Sequence, residues 1–175
     1  MNEKNPIVGI VMGSDSDLPT MKAALETLEK LSVAYDLRIL SAHRTPRETA
    51  AYVGKAPARG VEVFIAGAGA AAHLPGVIAS FTPLPVIGVP ISGTLQGVDA
   101  LLSMAQMPPG VPVATVGVNA AKNAALLAVS ILALKDKALS RRLTAYRLKM
   151  KEEVLEKSRK IEKLGYKNYL EILKR

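Results

Sequence analysis

There is no cysteine and no tryptophan among the 175 residues, and aromatic side chains make up only 4% of them. Without cysteine there is no disulfide, no thiolate metal site and no cysteine nucleophile, a composition suited to a reducing cytoplasm. So few rings leave an aliphatic core of Ala, Val, Leu and Ile, in a chain that is 49% apolar. Long apolar runs are missing too. No charge-free stretch without Gly and Pro is long enough to span a bilayer, and no signal-peptide pattern precedes the first strand. The expectation is a cytoplasmic chain of one domain, large enough to bury a full core, with no membrane among its partners.

The net charge of +8 is unevenly spread. Residues 1–134 hold nine basic and nine acidic residues, whereas residues 135–175 hold fourteen and six, so the whole excess lies in the tail. A basic tail is compatible with nucleic acid or a membrane surface. Here, however, Leu139, Leu143, Tyr146, Met150, Val154 and Ile161 fall at helical spacing, and charges of both signs fill the other faces. The tail reads as an amphipathic helix with an apolar stripe to dock. With no stacking aromatics and no nucleic-acid motif, nucleic acid is not expected as a partner.

Ile7 to Met12 is a continuous apolar run ending at Gly13, as in a strand buried on both faces. A helix follows, with Leu18, Met21, Leu25 and Leu28 on one face, Asp17 as its expected N-cap and Pro19 in its first turn. Further strands are expected at Tyr35–Leu40, Val61–Ala66, Pro85–Val89 and Val113–Val116. Helices are expected from Pro46 to about Gly54, at Leu74–Ser80, at Gly97–Ala105 and at Asn119–Leu134. This alternation indicates βαβ units: an α/β, three-layer αβα sandwich of flavodoxin-like type, with a parallel five-stranded sheet in the order 2-1-3-4-5. Residues 1–134 form the expected αβα catalytic domain. Residues 135–175 form a helical extension without a place in that minimal domain, and are expected to pack on a neighbouring subunit.

Residues 63–98 contain no Lys, Arg, Asp or Glu, where about a quarter of residues are charged in an average chain. Burial explains uncharged strands but not uncharged loops. Those loops are expected to line a pocket, a subunit interface or both.

Two βα turns carry most of the chemistry. Ser41-Ala42-His43-Arg44-Thr45-Pro46 follows the second strand, at the sheet edge where parallel α/β folds take their ligands. It sets a proton carrier beside a permanent cation, which suits a phosphorylated substrate that needs a proton moved. Gly13-Ser14-Asp15-Ser16-Asp17 fills the first such turn, where free amides and serine hydroxyls suit an anion and a carboxylate suits sugar hydroxyls. The same five residues also suffice for an ordinary capped helix start. Gly67-Ala68-Gly69-Ala70-Ala71-Ala72 has the G-x-G-x-x-A form of a dinucleotide loop but no acidic residue about twenty positions on to hold a ribose, so a dinucleotide is not expected. His43 and His73 are the only histidines, and both lie just past strand ends. Two histidines without a carboxylate cluster supply too few ligands for a metal. Other flavodoxin-like functions fit poorly: a phosphorelay receiver needs an acceptor Asp where Gly67 stands, and a flavin is usually covered by aromatics.

Val11-Met12-Gly13-Ser14-Asp15-Ser16-Asp17, Ser41 to Pro46, Ala66 to Gly76 with its His73-Leu74-Pro75-Gly76 ending, and Gln106-Met107-Pro108 occur in an order that resembles the PurE family of purine biosynthesis. The resemblance runs from about Ile7 to Leu134. Arg44 and the His73–Gly76 form match class I, the N5-carboxyaminoimidazole ribonucleotide mutases, better than the animal-type carboxylases, which usually have Lys at the Arg44 position. The resemblance implies a homo-octamer with sites between subunits, a small ribonucleotide substrate, and carboxylate transfer without metal or organic cofactor. It implies His43 as general acid and base, with Ser14, Asp17 and Arg44 on the ribose phosphate. Ser16, Ser41, Ala42, Gly69, Ala70, His73 and Leu74 complete the implied substrate site. Ala70 departs from the family, in which many members have Gly. Two other readings remain: a carboxylase that uses free carbon dioxide, and a non-catalytic nucleotide-binding oligomer.

Overall fold

The computed structural model describes residues 5–173. Five parallel strands, β1 (Val8–Met12), β2 (Tyr35–Ile39), β3 (Val63–Gly69), β4 (Val86–Ile91) and β5 (Ala114–Thr115), lie in the order β2-β1-β3-β4-β5. The helices between them are α1 (Leu18–Lys30), α2 (Pro46–Lys55), α3 (Leu74–Ser80), α4 (Val98–Ala105) and α5 (Ala121–Leu132), followed by α6 (Lys137–Leu173). This is the sandwich expected from the alternation, in the expected strand order.

The sheet separates two apolar layers. On one face Ile10, Met12, Ile65, Ile87 and Val89 pack with α1 and α5; on the other Val11, Phe64, Ala66 and Val86 pack with α2, α3 and α4. With both faces covered, every residue of β1 and β4 is buried, which is why these strands read as unbroken apolar runs. Among the described residues, no helix is long and apolar enough to cross a membrane.

Two local expectations need correction. Asp17 does not cap α1: its side chain makes no capping bond there. A 3₁₀ turn at Asp15–Asp17 precedes α1, with Ser14 as its N-cap. The Ser14 hydroxyl accepts from the Ser16 N–H at 3.3 Å, and the Ser14 N–H donates to Asp17 Oδ2 at 3.1 Å. Serine and aspartate thus satisfy each other's ends, a capping box set one turn earlier than expected.

The tail differs as well. Its first turns do have a place in the domain: Leu139 and Leu143 are buried in the α1–α5 layer and Tyr146 packs against it. Arg142 Nε donates to the Leu31 carbonyl at 2.9 Å, satisfying an acceptor beyond the end of α1. Asp136 caps α6 through the N–H groups of Ala138 (2.8 Å) and Leu139 (3.0 Å). Farther along, the stripe is no longer buried, and Met150, Val154 and Ile161 are exposed. Gly165, at φ 73° and ψ 155°, interrupts the helix near its end.

Candidate active site

The C-terminal ends of β1 to β4 surround a cleft of about 440 Å³. Ser14, Asp17, Ser41, Ala42, His43, Arg44, Gly69, Ala70, His73 and Leu74 all line it. Of the residues chosen from the sequence, only Ser16 does not: its hydroxyl turns onto Ser14 Oγ at 2.9 Å. The cleft also takes in Gly13, Ala68 and Ala72 from the two glycine-bearing turns, and has two walls that the sequence reading did not single out, Ile91 and Ser92. A signal for these two was present, because both lie within the charge-free stretch of residues 63–98.

The Ser41–Pro46 turn is held from beneath by threonines. The Ser41 N–H donates to Thr45 Oγ1 at 2.8 Å, and the Thr45 N–H returns to the Ser41 carbonyl at 3.0 Å. Buried Thr49, one turn into α2, donates its hydroxyl to the Thr45 carbonyl at 2.8 Å. So fixed, the turn aims Arg44 across to the first βα loop, where Nη2 donates to the Gly13 carbonyl at 2.8 Å. Among the described residues Arg44 has no ion pair. Its guanidinium has five donors, so most remain available to an anion beside Ser14.

His43 and His73 meet although thirty residues separate them. His43 Nε2 lies 2.7 Å from His73 Nδ1, with the rings edge to face at 81°. A hydrogen bond of this length needs one ring to present a bare nitrogen, so the pair in this arrangement is not doubly protonated. One proton can then be held between the rings or given up to a substrate. This suits a site that must donate a proton and later recover one.

Asp17 supplies the negative end. Burial pushes its carboxyl above the usual carboxylate range, opposed by hydrogen bonds from the Ser14 and Gly13 amides and by the charge of Arg44. Only the ionised form is a pure acceptor for the Ser14 N–H and for a sugar hydroxyl. Protonation of a carboxyl with a raised pKa sets in at higher pH than for an ordinary aspartate. We therefore expect kcat/KM to fall on the acid side at that raised value, and Asp17→Asn to lower kcat/KM while removing this limb from the pH profile. An unchanged acid limb in the variant would assign it to another group.

The loop after β3 is tightly wound. Ala70 and Ala72 have φ of 52° and 42°, a left-handed conformation that costs a residue with a Cβ about 1 kcal/mol or more. A glycine at position 70 would avoid that cost. The helix after the loop joins two separated motifs: a Cβ on Gly76 would meet Met107 Sδ and Cε at 3.0 Å, so Met107 packs directly on α3.

Fold and site together define a ligand-binding αβα domain whose sheet edge is equipped for proton transfer on an anionic substrate. Residues 7–153 match the AIR carboxylase family, and the chain belongs to it. It is 57% identical over 166 residues to the N5-carboxyaminoimidazole ribonucleotide mutase of Thermotoga maritima, covering 94% of this chain and 97% of that protein. The mutase of Pyrococcus horikoshii is 56% identical over 171 residues, 97% of each chain. The phosphoribosylaminoimidazole carboxylase of Saccharomyces cerevisiae is 54% identical, but the match spans only 29% of that longer protein. Among solved structures, Treponema denticola PurE superposes with a TM-score of 0.81 at 30% identity, covering 91% of this chain and 99% of the other.

Proposed function

We infer that this chain catalyses the mutase reaction of purine biosynthesis, converting N5-carboxyaminoimidazole ribonucleotide to 4-carboxy-5-aminoimidazole ribonucleotide. The observation that carries the reading is identity above half, over nearly the whole length, to mutases from Thermotoga maritima and Pyrococcus horikoshii. The site is compatible with it. Ser14 and Arg44 take the phosphate, and Asp17 takes a ribose hydroxyl. This leaves the base beside His43 and the Gly69–Ala72 loop.

His43 serves both halves of the transfer. As the imidazolium it protonates the carbamate nitrogen; the N–C bond breaks with its electrons retained on nitrogen, and carbon dioxide is released. The enamine-like ring carbon attacks that carbon dioxide and forms the new C–C bond. Neutral His43 then removes the proton from the same ring carbon, restoring aromaticity. One proton enters and one leaves, so the step is redox-neutral and balances without a co-reactant. Ser41, Ala42, the Gly69–Ala72 loop, His73 and Leu74 hold the carbon dioxide within reach of the ring, where proximity replaces a free collision. His73, 2.7 Å from His43 Nε2, holds the imidazole in position.

The test is direct: purified protein given the carbamate nucleotide, without ATP, should yield the ring-carboxylated product. Product formed only from aminoimidazole ribonucleotide and bicarbonate would favour the carboxylase reading. Nucleotide binding without turnover would favour the non-catalytic one.

We further propose a cytoplasmic homo-octamer in which the part of α6 beyond Arg147 extends from the catalytic domain onto a neighbouring subunit. The exposed Met150, Val154 and Ile161 support this, since an apolar stripe gains by being covered. Truncation after Arg147 keeps Leu139 and Leu143 in the core and is expected to dissociate the assembly in sedimentation. An intact oligomer after truncation would contradict the packing.

A further inference from the structure

The β4–β5 ladder is very short. It pairs Ile87 with Ala114 and Gly88 with Thr115, and the Val116 N–H then donates to the Gly88 carbonyl at 3.0 Å. β4 continues to Ile91 without a β5 residue alongside. Its last edge groups, the Pro90 carbonyl and the Ser92 N–H, are both satisfied by one residue. The Asn119 N–H donates to the Pro90 carbonyl at 2.8 Å, and Asn119 Oδ1 accepts from the Ser92 N–H at 2.9 Å. Because Ser92 N is a donor, it is the amide oxygen that faces it. Asn119 adopts φ 58°, a left-handed conformation that asparagine tolerates better than most residues.

The two bonds fall on either side of Ile91, and Ile91 supports the loop above. It pairs with Gly69 across the β3–β4 ladder, and a Cβ on Gly69 would come within 3.3 Å of the Ile91 carbonyl. Gly69 leads through the left-handed Ala70 and Ala72 to His73, which touches His43. Ile91 and Ser92 themselves line the cleft. We propose that Asn119 is a positioning residue, acting as a surrogate β5 strand that clamps the Pro90–Ser92 corner under the Gly69–Ala72 loop and so keeps the carbon dioxide wall closed. Its functional consequence rests on the mutase mechanism above: a loose wall lets carbon dioxide escape before recapture.

The experiment compares Asn119→Gly, which keeps the backbone conformation and loses the acceptor, with Asn119→Asp, which keeps both. Two quantities are read: aminoimidazole ribonucleotide released per carboxylated product formed, and hydrogen–deuterium exchange of the Ser92 amide. Asn119→Gly is expected to raise both by about three- to tenfold, the factor one neutral hydrogen bond is worth. Asn119→Asp is expected to stay near wild type in both. An unchanged release ratio in Asn119→Gly overturns the proposal even if Ser92 exchanges faster, because the clamp would then be only structural. Equal leakage from the Asp variant overturns it too. A wild-type enzyme that rearranges no carbamate sinks the mutase reading instead, and Ser92 exchange in Asn119→Gly still decides the clamp: faster exchange supports it and unchanged exchange overturns it.

Discussion

His43→Asn is expected to lose turnover by roughly 10² to 10⁴-fold, the usual worth of a positioned general acid–base group, while still binding the nucleotide. Asparagine is similar in size and retains polar atoms, but it neither delivers nor recovers a proton near neutral pH. In the proposed mechanism both halves of the transfer pass through the same imidazole, so no step escapes the loss. Binding should survive, because the proposed phosphate and ribose contacts come from Ser14, Asp17 and Arg44 on other parts of the cleft wall. His43 is exposed and outside both apolar layers, so thermal stability should change little. Single-turnover kinetics with calorimetric binding separate these quantities. Near-normal turnover would remove His43 from its role.

Arg44→Ala produces the second large effect, of a different kind. A hydrogen bond to a charged group is worth about 1.5–3 kcal/mol, so loss of the phosphate contact should raise KM by roughly 10- to 100-fold. In the proposed binding mode the reacting end of the substrate is held elsewhere, so kcat should fall less. Arg44→Lys should recover only part of the affinity. It keeps the charge but gives up the fork with which Arg44 bonds the Gly13 carbonyl while facing the anion. A variant with unchanged KM and depressed kcat would place Arg44 at the chemistry rather than at the phosphate.

The two variants test features that differ in how far the sequence disclosed them. The fold was legible because strands buried on both faces leave continuous apolar runs. Helix boundaries followed where caps and prolines mark them: Leu74–Ser80 coincides with α3, and Pro46 opens α2. β5 is shorter than the apolar run Val113–Val116 implied, pairing with β4 only through Ala114 and Thr115. The Asp17 cap was misjudged because serine and aspartate cap equally well, and the choice depends on a 3₁₀ turn that leaves no periodic trace. The tail stripe was recognised, but periodicity does not say which of its residues face their own domain. Leu139 and Leu143 are buried there, while Met150 and Val154 stay exposed.

At the site, sequence position identified the turns that carry reactive side chains, since strand ends at one sheet edge converge. It could not show that His43 and His73 touch. That contact depends on the Ala70–Ala72 turn, whose left-handed residues are alanines and so lack the glycine signal for such a bend. Asn119 and Ser92 were missed for a related reason. Their link is a tertiary bond across twenty-seven residues, with no motif of its own.

In the proposed mechanism one carboxylate leaves nitrogen and returns to carbon without leaving the cleft. This claim is tested most directly by supplying the unlabelled carbamate nucleotide together with ¹³C-labelled bicarbonate and reading the isotope in the earliest product. Retention of the unlabelled carboxylate is the expected result. Early product labelled to the level of the bicarbonate pool would contradict the claim and make the chain a carboxylase that draws on free carbon dioxide.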